Sequence, residues 1–149
     1  MTENVTGYLA GLARGAATGS SLPAFGAEVF SPVLDIEDLK MPAPTRPVEA
    51  WKVLDQKASK KKVGSLDYGP CSGTCTRAFG DPIQDSMEDD ANAADAVRRN
   101  WRGNLPDSGS EVRYFIGYVS KFEFDSITND NRIKFSWEIV VDGDVTIVR

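Results

Sequence analysis

The strongest constraint in this sequence is a two-residue alternation near its C-terminus. Ile133, Phe135, Trp137, Ile139 and Val141 alternate with Arg132, Lys134, Ser136, Glu138, Val140 and Asp142. Successive side chains of an extended strand point to opposite faces, so the pattern predicts a strand over residues 132–142 with one face buried. Residues 111–125 read as its hairpin partner, joined through Thr128-Asn129-Asp130-Asn131, residues that tolerate tight bends. Gly117 within that partner marks a bend or a close backbone approach. A strand of about 15 residues spans roughly 50 Å, against the usual 5–6 residues. Such a long, polar-faced strand needs a use. Joining a sheet to its equivalents in neighbouring copies is one, because closing a sheet abolishes its edges.

Upstream, residues 29–40 read as a first strand, with Leu34 and Ile36 on one face and Val33, Asp35 and Glu37 on the other. Pro42, Pro44 and Pro47 punctuate the chain, and residues 47–54 form a second strand. Residues 55–67 are polar, basic and aperiodic, which predicts a long exposed loop. A third strand runs from about Tyr68 to Phe79, with Cys71, Gly73, Cys75 and Arg77 on one face. Ile83, Met87, Ala91, Ala94, Val97 and Trp101 share a helical spacing, so the helix is expected over about residues 82–102. Asp81 before Pro82 offers its N-cap, and Arg98, Arg99 and Arg102 suit its C-terminal end. Residues 1–28 are rich in Gly, Ala, Ser and Thr and are expected to form a flexible arm preceding a single domain over 29–149; Tyr8, Leu9 and Leu12 could form a short helical face there.

Composition narrows the chemistry. The chain has 149 residues, 17 basic and 22 acidic, for a net charge of −5, and no histidine. An acidic chain is poorly suited to enclosing duplex DNA by charge. Without histidine, the usual general base, the Ser-His and Cys-His pairs and the commonest metal ligand are missing. Cys71 and Cys75, four apart on a strand, would lie roughly 13 Å apart, too far for a disulfide, and read as separate reduced thiols of a reducing compartment. Glu88, Asp89 and Asp90 are consecutive on a helix and so do not converge on one ion. No cofactor and no metal are expected. No apolar run reaches the roughly 18 residues of a membrane helix, and no signal peptide is expected. Lys57, Lys60, Lys61 and Lys62 invite a nucleic-acid reading, but no aromatics interleave them for base stacking, and an acidic partner surface serves them at least as well. A small binding module using Trp51, Trp101 and Trp137 is a rival class, although the patterns place Trp101 and Trp137 in the core. An enzyme is the weakest class, since no acid-base pair is marked by spacing.

The order of these elements resembles the tail tube (major tail) proteins of long-tailed, non-contractile bacteriophages. Phe115-Ile116-Gly117-Tyr118-Val119-Ser120-Lys121-Phe122-Glu123 is similar to that family's aromatic-Gly-Tyr-Val-x-x-Phe strand. Ile133 to Thr146 is similar to its closing strand, including Val141-Asp142-Gly143-Asp144-Val145-Thr146. Residues 47–55, the polar loop, Leu66-Asp67-Tyr68-Gly69 and a helix beginning near Asp81 match the family's order over about residues 25–149. The resemblance implies a mainly β chain: a β-sandwich or barrel-like fold with one flanking helix and a long C-terminal hairpin. It implies hexameric rings stacked into a tube that conducts double-stranded DNA without sequence-specific binding. The long loop would make ring-to-ring contacts, through Lys57, Lys60, Lys61, Lys62, Val63 and Leu66. The polar face of the C-terminal hairpin, with Lys121, Glu123, Asp125, Ser136 and Glu138, would line the lumen. Implied partners are other copies of the chain and the tape measure, tail terminator and distal tail proteins. The implied location is the virion tail, assembled in the host cytoplasm, with no membrane insertion. A tube of a contractile tail or of a secretion system shares the fold and is the runner-up.

Overall fold

The structure, a computed structural model, describes residues 10–105 and 111–149. Twelve strands are present among them: β1 (Gly11–Gly15), β2 (Phe30–Pro32), β3 (Ile36–Lys40), β4 (Pro44–Thr45), β5 (Val48–Trp51), β6 (Lys60–Val63), β7 (Asp67–Tyr68), β8 (Cys71–Thr76), β9 (Arg99–Asn104), β10 (Val112–Phe124), β11 (Lys134–Val141) and β12 (Thr146–Val148). One helix, α1 (Pro82–Asn92), follows β8. The main sheet runs β2-β1-β9-β10-β11-β8-β3, with β12 beside the start of β10. All its pairings are antiparallel. The mainly β architecture with one helix and a long C-terminal hairpin is as the sequence predicts.

The connection between β2 and β3 dictates the shape of that sheet. These strands end the path at opposite margins, six strand spacings apart, which in a flat sheet is roughly 29 Å. Only residues 33–35 join them, and four Cα steps reach at most about 15 Å. The sheet must therefore roll up until its margins approach. The crossing segment bonds to both sides: Val33 N–H donates to Leu12 O at 2.8 Å, and Thr76 N–H donates to Asp35 O at 3.0 Å. Asp35 turns the chain with φ of 59°. The expected single strand over 29–40 is thus two strands. The bend also inverts the alternation: Val33 is buried and Leu34 is half exposed.

The inward face carries Leu12, Val33, Cys71, Cys75, Trp101, Phe115, Val119, Phe135, Trp137 and Ile139. Phe122 stacks on Phe135 at 4.3 Å, and Trp137 Nε1 donates to Cys75 Sγ at 3.3 Å. Helix α1 adds Met87 to this core, with Ile83 and Ala91 packed against it. Buried Gln84 fastens the helix. Its Oε1 accepts from Ala78 N–H at 2.8 Å and Arg77 Nη1 at 3.1 Å, and its Nε2 donates to Thr76 O and Leu34 O. One amide thereby ties α1 to the end of β8 and to the β2–β3 crossing. Around it, Arg77 pairs with Asp85 at 2.5 Å and Arg99 with Asp90 at 2.6 Å. Arg14 donates to Ser86; burial, then the charge of Arg99, pushes its guanidinium below the ordinary value, opposed by Asp90.

Two further expectations are corrected. The helix starts as predicted, with Asp81 Oδ1 accepting from Ile83 N–H at 3.2 Å, but it stops at Asn92 rather than near residue 102. Ala93 is already extended, and Arg99–Asn104 is a strand laddered on both sides, to β1 and β10. Two ladders outweigh a helical spacing whose propensity is a weak preference. Trp101 is core as expected, but from a strand. Nor are residues 1–28 a loose arm throughout. Within residues 10–28, β1 lies between β2 and β9, with Leu12 and Ala13 buried. Its small residues are what permit close cover: a Cβ on Gly15 would lie 2.8 Å from Asn100 O. Leu12 is therefore on a strand, while Tyr8 and Leu9 lie outside the described residues.

Candidate assembly surfaces

Residues 55–67 are not a featureless loop. Lys60–Val63 forms β6 and pairs with β5, in the register Val48↔Val63, Glu49↔Lys62, Ala50↔Lys61 and Trp51↔Lys60. Asp67 begins β7, which pairs with β4. The β5–β6 ribbon is a sheet of its own, separate from the main one. Its base is held by Gly64 N–H to Pro47 O at 2.7 Å and by Arg46 Nη1 to Gly64 O at 3.2 Å. All eight ribbon residues are exposed. Cross-strand partners share a face. One face therefore holds Val48, Ala50, Lys61 and Val63; the other holds Glu49, Trp51, Lys60 and Lys62. At the connecting turn Leu54 is wholly exposed, next to Lys57. Leu66, 41% exposed, sits just beyond the ribbon.

The second predicted group is also brought together. The pairing of β10 with β11 shifts register between Val119 and Lys121, so Phe122 and Phe124 rather than their odd-numbered neighbours face the core side. Lys121 then lies opposite Glu138, and Glu123 opposite Ser136. Lys121 Nζ is 3.3 Å from Glu123 Oε2, and Ser136 Oγ donates to Asp125 Oδ1 at 2.8 Å. Ser120, at the shift, donates to Glu138 O at 3.2 Å. Ser72 and Thr74 extend this face across β8. Lys134 on the same face pairs with Glu37 at 3.3 Å, and Arg132 pairs with Glu37 as well. Those two cations, Arg132 foremost through its hydrogen bond, hold the Glu37 carboxyl below its ordinary value. The result is a hydroxyl-rich surface of mixed charge on the outside of the rolled sheet.

Reactive chemistry is sparse. Among the described residues no group of His, Cys, Asp or Glu could hold a metal ion. Cys71 and Cys75 are free and buried on the inward face. Burial pushes the Cys71 thiol up to about 12 and the Cys75 thiol up to about 11, so neither is a ready nucleophile. Sequence reasoning missed the Gln84 clamp, which no local pattern marks, and the pairing of β5 with β6.

No protein-family model matches the sequence, and no curated protein does either. Solved structures do. The chain is similar to one from the anti-feeding prophage (AFP) baseplate, with a TM-score of 0.77 at 6% identity over 99% of this chain and 97% of that one. It is similar to one from the tail of an empty gene transfer agent (GTA) particle of C6 symmetry, with a TM-score of 0.69 at 8% identity over 98% and 100%. It is also similar to the SPP1 tail tube protein, with a TM-score of 0.60 at 13% identity over 97% and 78%. The chain has the tail tube fold.

The surface of this fold is less complete than its interior. The tail tube fold here has a finished interior, yet among the described residues the margins of β2 and β3 have no further strand partner, and the β5–β6 ribbon stands exposed outside the main sheet. Exposed strand margins and uncovered apolar side chains are features that proteins suppress when they work alone.

Proposed function

We propose that this chain is a structural subunit that assembles with copies of itself into rings stacked as the tube of a phage-like particle. The observation that carries the reading is the near full-length match to chains of tail and baseplate assemblies, two of them described with six-fold symmetry. In this reading the ring is a hexamer, and the tube is that of a long non-contractile tail. The outward polar face, with Lys121, Glu123, Asp125, Ser136 and Glu138, lines the lumen. Its mixed charge offers passing DNA no continuous cationic track to adhere to. The ribbon with Lys57, Lys60, Lys61, Lys62, Val63 and Leu66 makes contacts between rings. The tube does no chemistry of its own and works with tape measure, terminator and distal tail proteins in the virion. A tube of another particle type with the same fold draws support from the AFP baseplate chain, whose TM-score of 0.77 exceeds the 0.60 of the SPP1 tail tube.

Negative-stain microscopy of concentrated protein, beside light scattering on a sizing column, tests the reading. Six-fold rings or hollow tubes are expected. Protein that stays monomeric at every concentration and is not incorporated into particles when expressed with the rest of its tail genes would overturn it.

A further inference from the structure

We propose that residues 16–29 form a hinged strap, which closes over an aromatic strip on the outside of the sheet and opens without unfolding the subunit. The inference stands apart from the tube reading. Both ends of the segment are fixed. β1 brings buried Leu12 and Ala13, and the last rung before the excursion is Ala16 N–H to Val29 O at 3.2 Å. Hairpin connections usually take about 2–5 residues. Residues 17–28 run well beyond that and hold only a 3₁₀ turn at Phe25–Ala27. None of residues 16–29 is buried, so the excursion adds nothing to the core. It lies instead on the outer face. Trp101 points inward, so Asn100 and Arg102 beside it on β9 point outward, and Tyr114 lies opposite Arg102. Phe25 stacks on Tyr114 at 5.2 Å, Phe30 tilts against it at 5.9 Å, and the Arg102 guanidinium lies 5.1 Å above Phe30.

The fastenings are few and polar. Asn100 Nδ2 donates to Pro23 O at 3.0 Å, Arg98 Nη1 to Ser20 O at 3.2 Å, and Ala17 N–H to Glu28 Oε1 at 2.9 Å. Water replaces such bonds at small net cost. Closure also strands a polar atom. Asn100 is fully buried, yet its Oδ1 has no partner among the described residues. Opening returns that oxygen to water, which narrows the gap between the two states. Gly19 turns the strap with φ of 112°, and a Cβ there would meet nothing within 4 Å. The position therefore needs glycine's backbone freedom rather than its small size, as a hinge does. The strap acts as an internal competitor. Anything that binds Tyr114 must first displace Phe25, so its apparent affinity falls with the fraction of molecules that are open.

Chymotrypsin tests the strap on dilute, full-length protein, whether or not rings form at higher concentration. The initial rate of cleavage after Leu22 or Phe25 is followed by mass spectrometry. A cut there requires the strap to leave the sheet, so its rate reports the open fraction. It should be at least about tenfold slower than in a synthetic peptide of residues 16–29, and its urea dependence should be a small part of that of global unfolding, since little surface is exposed. Gly19→Ala strains the closed turn and should speed the cut about fivefold or more. Tyr114→Leu removes the stack and should speed it as well. Both variants should keep the native circular dichroism and the shallow urea dependence. Cleavage that follows the urea dependence of global unfolding overturns the inference, because the strap is then an integral part of the fold. Cleavage of the wild type as fast as of the peptide overturns it too, because the strap is then never closed. A folded Gly19→Ala or Tyr114→Leu protein cut at the wild-type rate takes away the hinge or the stack, and the inference with it.

Discussion

Two antiparallel hairpins in this molecule meet opposite fates. In β10–β11, Phe115, Phe135, Trp137 and Ile139 are almost entirely removed from solvent. In β5–β6, all eight strand residues are exposed. Both have antiparallel cross-strand pairing, interrupted in β10–β11 only by the shift between Val119 and Lys121. Backbone pairing therefore does not separate them, because net hydrogen-bond energies are small once water is counted. What separates them is the apolar area each one hides. The first hairpin completes the core, and the second leaves its apolar side chains in solvent.

Truncating one tryptophan in each hairpin puts that contrast to its hardest test. Trp137→Ala empties a fully enclosed site and removes the donor to Cys75 Sγ. It should cost about 3–5 kcal/mol in urea unfolding. Trp51→Ala, at a position 43% exposed, should stay within about 0.5 kcal/mol of wild type. In the tube reading it should still reduce stacking. Equal losses of stability at the two sites would mean that the ribbon is covered within the subunit.

Close approach beside the core hairpin gives the next largest effect. A Cβ at Gly73 would lie 2.9 Å from Trp137 Cζ2 and collide with Asp38 O, so both a packed ring and a strand backbone stand in its way. Gly73→Ala should cost about 1–3 kcal/mol by overpacking. Loss of hydrogen-exchange protection should centre on β3 and β8. Protection lost evenly across the molecule would show that β3 is no independent margin.

The same contrast explains what could be read from the residues. Alternation over 133–141 was legible because β11 has core on one side and a polar surface on the other. Lys60–Val63 carries no such imprint, since a strand exposed on both faces imposes no period on its side chains. The helix start was legible because Asp81 and Pro82 act locally. Its end was not, because β9 is set by partners far away in sequence, Gly11–Arg14 and Val112–Gly117. Strand β1 was hidden for a different reason. Glycine and alanine signal looseness in an isolated chain, while here they admit the close packing of Gly15 against Asn100. Each of the two polar groups lies together in the fold, yet the bulge that aligns Lys121 with Glu138 and the register that sets Trp51 beside Lys60 needed the structure.

The thiols offer a smaller effect confined to the core side. Cys71 lies opposite Ile139 and Cys75 opposite Phe135. Burial raises both from the ordinary value of 9.0, to about 12 and about 11. The folded state therefore holds their protons where the unfolded state releases them. Their influence on stability is flat below pH 9 and becomes destabilising as pH rises toward 11–12, by up to about 1.4 kcal/mol per pH unit for each thiol. Unfolding midpoints measured from pH 8 to 10.5 should slope more steeply for the wild type than for Cys71→Ala, Cys75→Ala. Parallel slopes would place the thiols in contact with water.

The smallest effect is the one that separates the two exposed surfaces from each other. Lys121 and Glu123 are paired at 3.3 Å with side chains 49% and 67% exposed. Such pairs contribute about 0–1 kcal/mol and are screened by salt. Lys121→Ala should therefore move the unfolding free energy by less than about 0.5 kcal/mol, much as a ribbon lysine would. The distinction appears only on assembly. If the polar face lines a lumen, it touches no other ring, and Lys121→Ala should leave tube length unchanged, whereas in the tube reading Trp51→Ala on the ribbon reduces stacking. Tubes shortened by Lys121→Ala would mean that the polar face is itself a contact between copies, and the lumen would have to be lined by another surface.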